Sequence, residues 1–234
     1  MSRVAIIPAR GGSKRIPRKN IKAFCGKPMI AWSIEAAKAS KCFDRIIVST
    51  DNQEIAETAR QLGAEVPFVR PESLSDDYTS TIAVMRHALQ WLQKNKNHID
   101  YACCIYATAP FTSPEDLQRG WKLISGTDYD YAFSITSYAF PIQRAFRINE
   151  QGQVAMFNPE HFITRSQDLE EAWHDAGQFY WGKKDAWLTE KPLFAEGSVP
   201  IKLSRHRVQD IDTTEDWERA EWLFRAMQAL PVIE

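Results

Sequence analysis

Short apolar runs alternate with helical patterns through the first half of the chain, and this alternation constrains the fold more than any other feature. Runs with the length and composition of strands lie at 4–7, 45–50, 101–106 and 131–136, with a short extended piece at 66–69. Helical patterns lie at 28–39, at 80–94 and from Ser113 onward. A further helix is predicted to begin at a cap formed by Asp51 or Asn52 and to end near Gly63. Repeated strand–helix units of this kind predict an α/β fold, which is a mainly parallel sheet with helices on both faces.

The stretch from 137 to 175 has a different pattern. Helical periodicity is poor there, and the apolar residues include Phe140, Pro141, Phe146, Phe157, Pro159 and Phe162. We interpret this stretch as an excursion within a single domain that spans 1–234. It either packs on another subunit or forms a long loop with a hairpin. Strand patterns resume at 177–182 and 199–203, and the spacing of Thr213 and Asp216 predicts a capping box at the start of a last helix.

The overall composition argues against several classes of protein. A chain of 234 residues with 44% hydrophobic and 25% charged residues is typical of one sizeable globular domain. The net charge of −1 argues against a nucleic-acid partner, because such proteins usually carry a basic excess. We expect no membrane partner, since no apolar stretch approaches the roughly 20 residues that cross a bilayer and no signal-peptide pattern is found. The four cysteines match no zinc pattern, which fits a reduced, cytoplasmic protein.

The loop after the first strand, residues 8–20, is strongly basic. Its cations are Arg10, Lys14, Arg15, Arg18 and Lys19. Ligands of parallel sheets bind at the carboxyl ends of strands, where this loop lies. P-loop and dinucleotide fingerprints are absent, but Gly11 and Gly12 allow the backbone to approach a ligand and its N–H groups to hold phosphate oxygens. Asn20 suits a ribose, a base or the backbone. We predict a polyphosphate site; the plainer alternative is a solvated basic loop.

Asp210 and Asp212 form a second candidate site. Residues two apart in an extended segment point to the same side, and two carboxylates on one side repel each other unless a cation lies between them. Mg²⁺ takes one or two carboxylates together with phosphate oxygens, so a phosphate loop nearby makes the pair a predicted magnesium site. The alternative is that Asp212 only caps the last helix.

A third candidate combines polar and aromatic side chains that suit a sugar. Its members are Arg165, Ser166, Gln167 and Asp168, followed by the run from His174 to Trp181. The pattern is much less specific than the other two. His174 is a candidate base, although a histidine on the surface is the commoner case.

The opening run IPARGGSK, followed by Pro17, Lys19 and Asn20, resembles the first motif of the CMP-sialic acid synthetases, or acylneuraminate cytidylyltransferases. The other motifs of that family fall at 49–51, 107–110 and 210–212. The resemblance covers nearly the whole chain. It implies a Rossmann-like nucleotidyltransferase fold with an inserted dimerisation segment, and a homodimer. It also implies CTP and a nine-carbon 2-keto sugar acid as substrates, Mg²⁺ as cofactor, and pyrophosphate as a product.

The resemblance also assigns roles to residues. The nucleotide would be bound by Ala9, Arg10, Gly11, Gly12, Ser13, Lys14, Lys19 and Asn20. Catalysis would depend on Arg10, Lys19, Asp210 and Asp212, of which the two aspartates would hold the metal. The sugar would be bound by Tyr106, Thr108, Arg165, Gln167, Asp168, Gln178 and Tyr180.

Departures from the family pattern lie on the sugar side. Sialic acid enzymes have a Gln-Pro-Thr-Ser-Pro-Leu-Arg run where this chain has Tyr-Ala-Thr-Ala-Pro-Phe-Thr from Tyr106, and their Arg-Arg-Gln-Asp is Arg-Ser-Gln-Asp here. These changes, and the run HDAGQFYWG, resemble the pseudaminic acid branch. Tyr106 in place of an amide adds a larger apolar face, which suits a deoxy sugar with a methyl group. We expect pseudaminic acid; the alternatives are N-acetylneuraminic, legionaminic or 3-deoxy-octulosonic acid, or a non-catalytic nucleotide-binding regulatory module.

Overall fold

The computed structural model describes residues 1–229, and residues 230–234 of the predicted domain lie outside them. The first elements are β1 (Arg3–Pro8), β2 (Ala23–Phe24), β3 (Lys27–Pro28), α1 (Met29–Ser40), β4 (Arg45–Ser49), α2 (Gln53–Gln61), α3 (Thr81–Lys94), β5 (Tyr101–Ile105), α4 (Pro114–Ile124) and β6 (Tyr131–Ser137). They are followed by β7 (Phe146–Ile148), β8 (Val154–Met156), β9 (Trp173–Lys183), α5 (Lys184–Leu188), β10 (Ser198–Lys202) and α6 (Thr214–Ala229). No helix within the described residues is long and apolar enough to cross a membrane.

The central sheet has the strand order β10-β6-β9-β5-β1-β4. All neighbours in it are parallel except β9, which runs antiparallel to both β5 and β6. The predicted α/β class with a mainly parallel sheet is therefore confirmed. Among the described residues, the predicted short extended piece at 66–69 pairs with no strand, but Glu65 just before it contacts the sheet through an isolated bridge to Ile47.

Side chains of β1 alternate between two apolar layers, as expected for a strand covered on both faces. Ala5 and Ile7 pack with α1, α2 and α4 on one face. Val4 and Ile6 pack with α3 and α5 on the other. A third apolar cluster joins α6 to the β2–β3 hairpin and contains Phe24, Phe111, Ile211, Trp217 and Phe224.

Several helices begin where the sequence predicts them, because a polar side chain satisfies a free N–H group there. Ser80 and Ser113 accept hydrogen bonds from the backbone N–H groups of the third residue beyond them, at the starts of α3 and α4. Asn52, and not Asp51, caps α2 by accepting from the Ile55 N–H.

The excursion leaves the sheet after Ser137 and rejoins it at Trp173, which pairs with Ser137 across β6 and β9. It contains the β7–β8 hairpin and several short 3₁₀ turns. The strand that follows is longer than predicted, because its first residues already pair with β6. Since β9 is antiparallel, its first residues lie at the same sheet edge as the carboxyl ends of β1, β4 and β5.

Candidate active site

A cavity of about 360 Å³ opens at this edge of the sheet. The opening loop, the segment before α3 and the residues after β5 line it. Among the predicted site residues, it is lined by Arg10, Ser13, Lys14, Lys19, Asn20, Tyr106, Thr108 and Asp212. The structure therefore brings together most of the predicted nucleotide residues, part of the sugar set and one of the two predicted metal ligands.

The opening loop is held from behind by hydrogen bonds to neighbouring segments. Ala9 is buried, and the Gly11 N–H donates to Asp51 Oδ1 over 2.9 Å. A Cβ atom at Gly11 would lie 2.9 Å from Asn52 Cβ, so this glycine makes room for the start of α2. The space around Gly12 is open. Asn20 donates to the carbonyl of Arg10 over 2.8 Å, which realises the backbone contact among its three predicted roles.

Two carboxylates pair with the cations of this cavity. Asp77 lies 2.6 Å from Arg10 Nη1 and 2.5 Å from Lys14 Nζ. Hydrogen bonds from these two cations hold the pKa of Asp77 below its usual value. Asp212 pairs with two further cations of the opening loop, at 2.8 Å from Arg15 and 3.3 Å from Lys19. Arg18, the fifth cation of the loop, pairs instead with Glu54 of α2.

The aspartate pair flanks a buried residue. Ile211 is fully buried in the cluster beneath α6, while Asp210 and Asp212 keep contact with solvent. The pKa of Asp210 is raised, because the surrounding chain reduces its hydration and because Asp212 adds a like charge, while Lys19 opposes the shift. Capping of α6 is performed by Thr213 and Asp216, so the alternative role of Asp212 as a mere cap is not realised.

The donor set of this pair fits Mg²⁺ only if a ligand supplies further oxygens. Within residues 1–229, no group of three or more His, Cys, Asp or Glu side chains is placed to hold a metal ion. Two carboxylates completed by phosphate oxygens are a typical magnesium environment. The like-charge repulsion that raises the pKa of Asp210 is what a bound cation would relieve.

On the sugar side, Tyr106 and Thr108 reach the cavity, whereas Gln178 and Tyr180 lie behind it. The ring centroids of Tyr106 and Tyr180 are 5.4 Å apart, and the Tyr106 hydroxyl is 2.9 Å from Thr81 Oγ1. Tyr180 donates to Asp175 Oδ2 over 2.5 Å. Burial is the main reason that the pKa values of both tyrosines are raised, so both hydroxyls are protonated near neutral pH.

The remaining predicted sugar residues lie away from this cavity. Arg165 and Asp168 pair with each other through two contacts of 2.7 and 3.0 Å on the excursion, and Gln167 lies in the same exposed turn. His174 does not line the cavity either; its Nδ1 is 2.9 Å from the Asp175 carbonyl, and its ring packs on Tyr138. Within residues 1–229, none of these side chains reaches the cavity of its own chain.

The sequence reasoning missed Arg70. This residue is only 4% exposed, lines the cavity, and donates from Nε to Ser75 Oγ over 3.2 Å. Its buried Nη2 has no hydrogen-bond partner among residues 1–229, and its closest carboxylate, Asp51, is 3.7 Å away. Burial lowers the pKa of Arg70, and the charge of Arg10 adds to this effect. Such a group offers unused donors to a ligand.

Comparisons with known proteins identify the family of the chain. The chain belongs to the cytidylyltransferase family, whose family model matches residues 4–227. The predicted family is therefore confirmed. This chain is 47% identical over 225 residues to pseudaminic acid cytidylyltransferase of Campylobacter jejuni subsp. jejuni serotype O:2. The match covers 96% of this chain and 97% of that protein.

More distant similarities were found both in sequence and in structure. CMP-N,N'-diacetyllegionaminic acid synthase of Legionella pneumophila is 33% identical over 232 residues, covering 96% of this chain and 97% of its own. The solved structure of CMP:2-keto-3-deoxy-manno-octonic acid synthetase complexed with CTP has a TM-score of 0.68 at 17% identity, covering 97% of this chain and 100% of that one. This last likeness shows the fold alone, and it confirms the predicted nucleotidyltransferase fold.

Proposed function

We propose that this cytidylyltransferase joins CMP from CTP to the nonulosonic acid pseudaminic acid and releases pyrophosphate. The observation that carries the proposal is the 47% identity to pseudaminic acid cytidylyltransferase along almost the full length of both chains. The relative named for a legionaminic acid is 33% identical over a similar length, which favours pseudaminic acid among the alternatives.

The nucleotide would lie in the cavity with its phosphates against the opening loop. Arg10, Lys14 and Lys19 supply positive charge there, and the open space at Gly12 leaves room for a phosphate beside the backbone. Arg70 would donate to an oxygen of the nucleotide through the N–H groups that its own chain leaves unused.

The chemistry at this cavity is a displacement at the α-phosphorus of CTP. The anomeric 2-hydroxyl of the sugar acid forms a new bond to phosphorus, the bond to the bridging oxygen of the β-phosphate breaks, and pyrophosphate leaves with that electron pair. The hydroxyl proton passes to solvent or to a base that the geometry does not single out. Negative charge grows on the phosphate oxygens, and Arg10 and Lys19, which line the cavity, would stabilise it.

Mg²⁺ is part of the proposal, with Asp210 and Asp212 as the residues that hold it. When bound, the ion would neutralise phosphate charge and lower the pKa of a coordinated hydroxyl. The chain's own contribution is to hold Asp212 in ion pairs with Arg15 and Lys19 and to anchor Ile211 between the two carboxylates.

A homodimer is also part of the proposal. The excursion leaves nine large apolar side chains exposed between 138 and 163, more than a lone surface usually carries: Tyr138, Phe140, Ile142, Phe146, Ile148, Val154, Phe157, Phe162 and Ile163. A second copy would cover them. Arg165, Gln167 and Asp168 would then contact the sugar in the cavity of the second copy, since they do not reach the cavity of their own chain.

A cytoplasmic location completes the proposal. All four cysteines are free thiols, and three of them are buried, which suits a reducing compartment.

The deciding experiment measures pyrophosphate release from CTP with a panel of nonulosonic acids, in the presence of Mg²⁺ or of excess chelator. We expect turnover with pseudaminic acid and Mg²⁺ only. Asp212→Asn and Arg10→Ala should nearly abolish it while the circular dichroism spectrum stays unchanged. Turnover with a different acid would show that the proposed sugar is wrong. Near-normal rates in either variant would refute the proposed site. Binding of CTP without turnover on any acid would favour the regulatory-module alternative.

A further inference from the structure

Asp77 occupies the position between two cations of the proposed phosphate site. One of its carboxylate oxygens contacts Arg10 Nη1 at 2.6 Å, and the other contacts Lys14 Nζ at 2.5 Å. The side chain lines the same cavity and is 34% exposed. A single carboxylate therefore pairs with both cations and offsets one of their two positive charges.

The segment that carries Asp77 does not need this carboxylate for its own shape. Its neighbour Asp76 organises the turn, because Asp76 Oδ1 accepts from the N–H groups of Tyr78 and Thr79 and from the Thr79 hydroxyl. Asp77 has no side-chain hydrogen bond within that segment; among the described residues, its partners are the two cations alone. The adjoining Tyr78 is 94% exposed, so little packing holds the segment down at this point.

A phosphate that bridged Arg10 and Lys14 would have to occupy the position of the Asp77 carboxylate. Two anions cannot share that place without repulsion, so the carboxylate has to move when the phosphate arrives. A polyphosphate offers several negative charges to the cations and gains more by the exchange than an ion with one charge does.

We propose that Asp77 is a specificity-determining residue that competes with the phosphates of the nucleotide for Arg10 and Lys14. It keeps both cations ion-paired in the empty site, so that a ligand with several negative charges displaces it more readily than a ligand with one. The inference rests on the proposed nucleotide site, and it predicts that the enzyme's affinity for CTP is lower than its cations alone would give.

The test compares Asp77→Asn with Glu72→Gln by isothermal titration calorimetry. Both changes remove one negative charge from the same segment, but Glu72 is exposed and has no ion pair among residues 1–229, so only the first change releases the cations. We expect Asp77→Asn to bind CTP and inorganic pyrophosphate about 3- to 10-fold more tightly, the range given by the small value of exposed ion pairs. Glu72→Gln should bind both as the wild type does. Cytidine, which has no phosphate, should bind equally to all three proteins.

Each remaining outcome counts against a defined claim. Equal or weaker binding of CTP by a folded Asp77→Asn protein would overturn the competition and assign Asp77 to orienting the cations instead. The same tightening in Glu72→Gln would also overturn it, because the effect would then be one of net charge. Failure of the wild type to bind CTP and pyrophosphate at all would refute the nucleotide site itself, and the inference with it. Thermal unfolding of each variant checks that it is folded.

Discussion

At the scale of single residues, the two aspartates before α6 are in different electrostatic situations. Asp212 is paired with Arg15 and Lys19, whereas Asp210 has reduced hydration and faces the charge of Asp212. Carboxylates whose charged form is disfavoured by reduced hydration and a like charge are common at functional sites, where a bound ligand offsets the unfavourable charge. The pair therefore has a measurable signature in the absence of any ligand.

Asp210→Asn should stabilise the ligand-free protein near neutral pH. The folded-state pKa of Asp210 lies above the ordinary 3.8, so the folded state gains from its protonation below that value and loses the gain as the pH rises through the raised pKa. We expect the melting temperature to rise by about 1 °C at about pH 7, with a smaller rise at about pH 4. Asp212→Asn is the matched control and should give no rise, since it breaks two ion pairs. Equal effects of Asp210→Asn at both pH values would contradict the charge argument.

The residues of the opening loop could be predicted because they are close together in the sequence, whereas Arg70 and Asp77 could not. Both lie in irregular chain between α2 and α3, without periodicity or a recognisable motif. The contact of Asp77 with Lys14 joins residues 63 positions apart. The segment with Asp77 reaches the opening loop only through the strand order of the sheet, so no local sequence pattern predicts the contact.

At the scale of elements, the start of α6 fixes the position of the proposed metal ligands. Asp216 Oδ2 accepts from the N–H of Thr213 over 2.8 Å and from the N–H of Asp212 over 3.1 Å. In return, Thr213 Oγ1 accepts from the Asp216 N–H over 3.2 Å. The predicted capping box is present, and its carboxylate also holds the backbone of Asp212.

Asp216→Ala should therefore lower both stability and activity. Loss of the cap should cost about 1 kcal/mol and lower the melting temperature by about 2–4 °C. Turnover should fall more than this loss of stability explains, because Asp212 is no longer held beside Lys19. Glu215→Ala is the control, since Glu215 is an exposed acidic residue of the same helical turn. Unchanged kcat in Asp216→Ala would show that the cap does not position the site.

Most of the helices and strands could be predicted from the sequence, but their arrangement in the sheet could not. Ser80, Ser113 and Asn52 mark helix starts through short-range hydrogen bonds that the sequence displays. The antiparallel insertion of β9 was not readable, because a strand's direction depends on partners that are distant in sequence. The apolar run at 177–182 would look the same in either orientation.

At the scale of the whole molecule, the excursion carries an apolar face that its own chain leaves exposed. Phe146 and Ile148 are 60% and 70% exposed, and they lie two residues apart on β7, so they share one side of the strand. This arrangement suits the core of an interface between copies.

Phe146→Glu and Ile148→Glu should convert the proposed dimer into a monomer. A charged side chain in the centre of an apolar interface is costly to bury, so dissociation should increase by at least tenfold. Light scattering after size-exclusion chromatography measures the mass. Trp222→Glu, an equally exposed aromatic on α6 at 66%, is the control and should leave the dimer intact. A monomeric wild type, or dissociation by the control alone, would refute the proposed interface.

The central position of β9 has a consequence for how the protein is made. β9 pairs with β5 on one side and with β6 on the other, so it joins two groups of strands that otherwise do not touch in the sheet. During translation, β1, β4, β5 and β6 leave the ribosome before it does, and the facing edges of β5 and β6 then lack their permanent partner. The nascent chain must remain protected from aggregation until about residue 183 has emerged, which makes chaperone capture at that stage an expected step in its biogenesis.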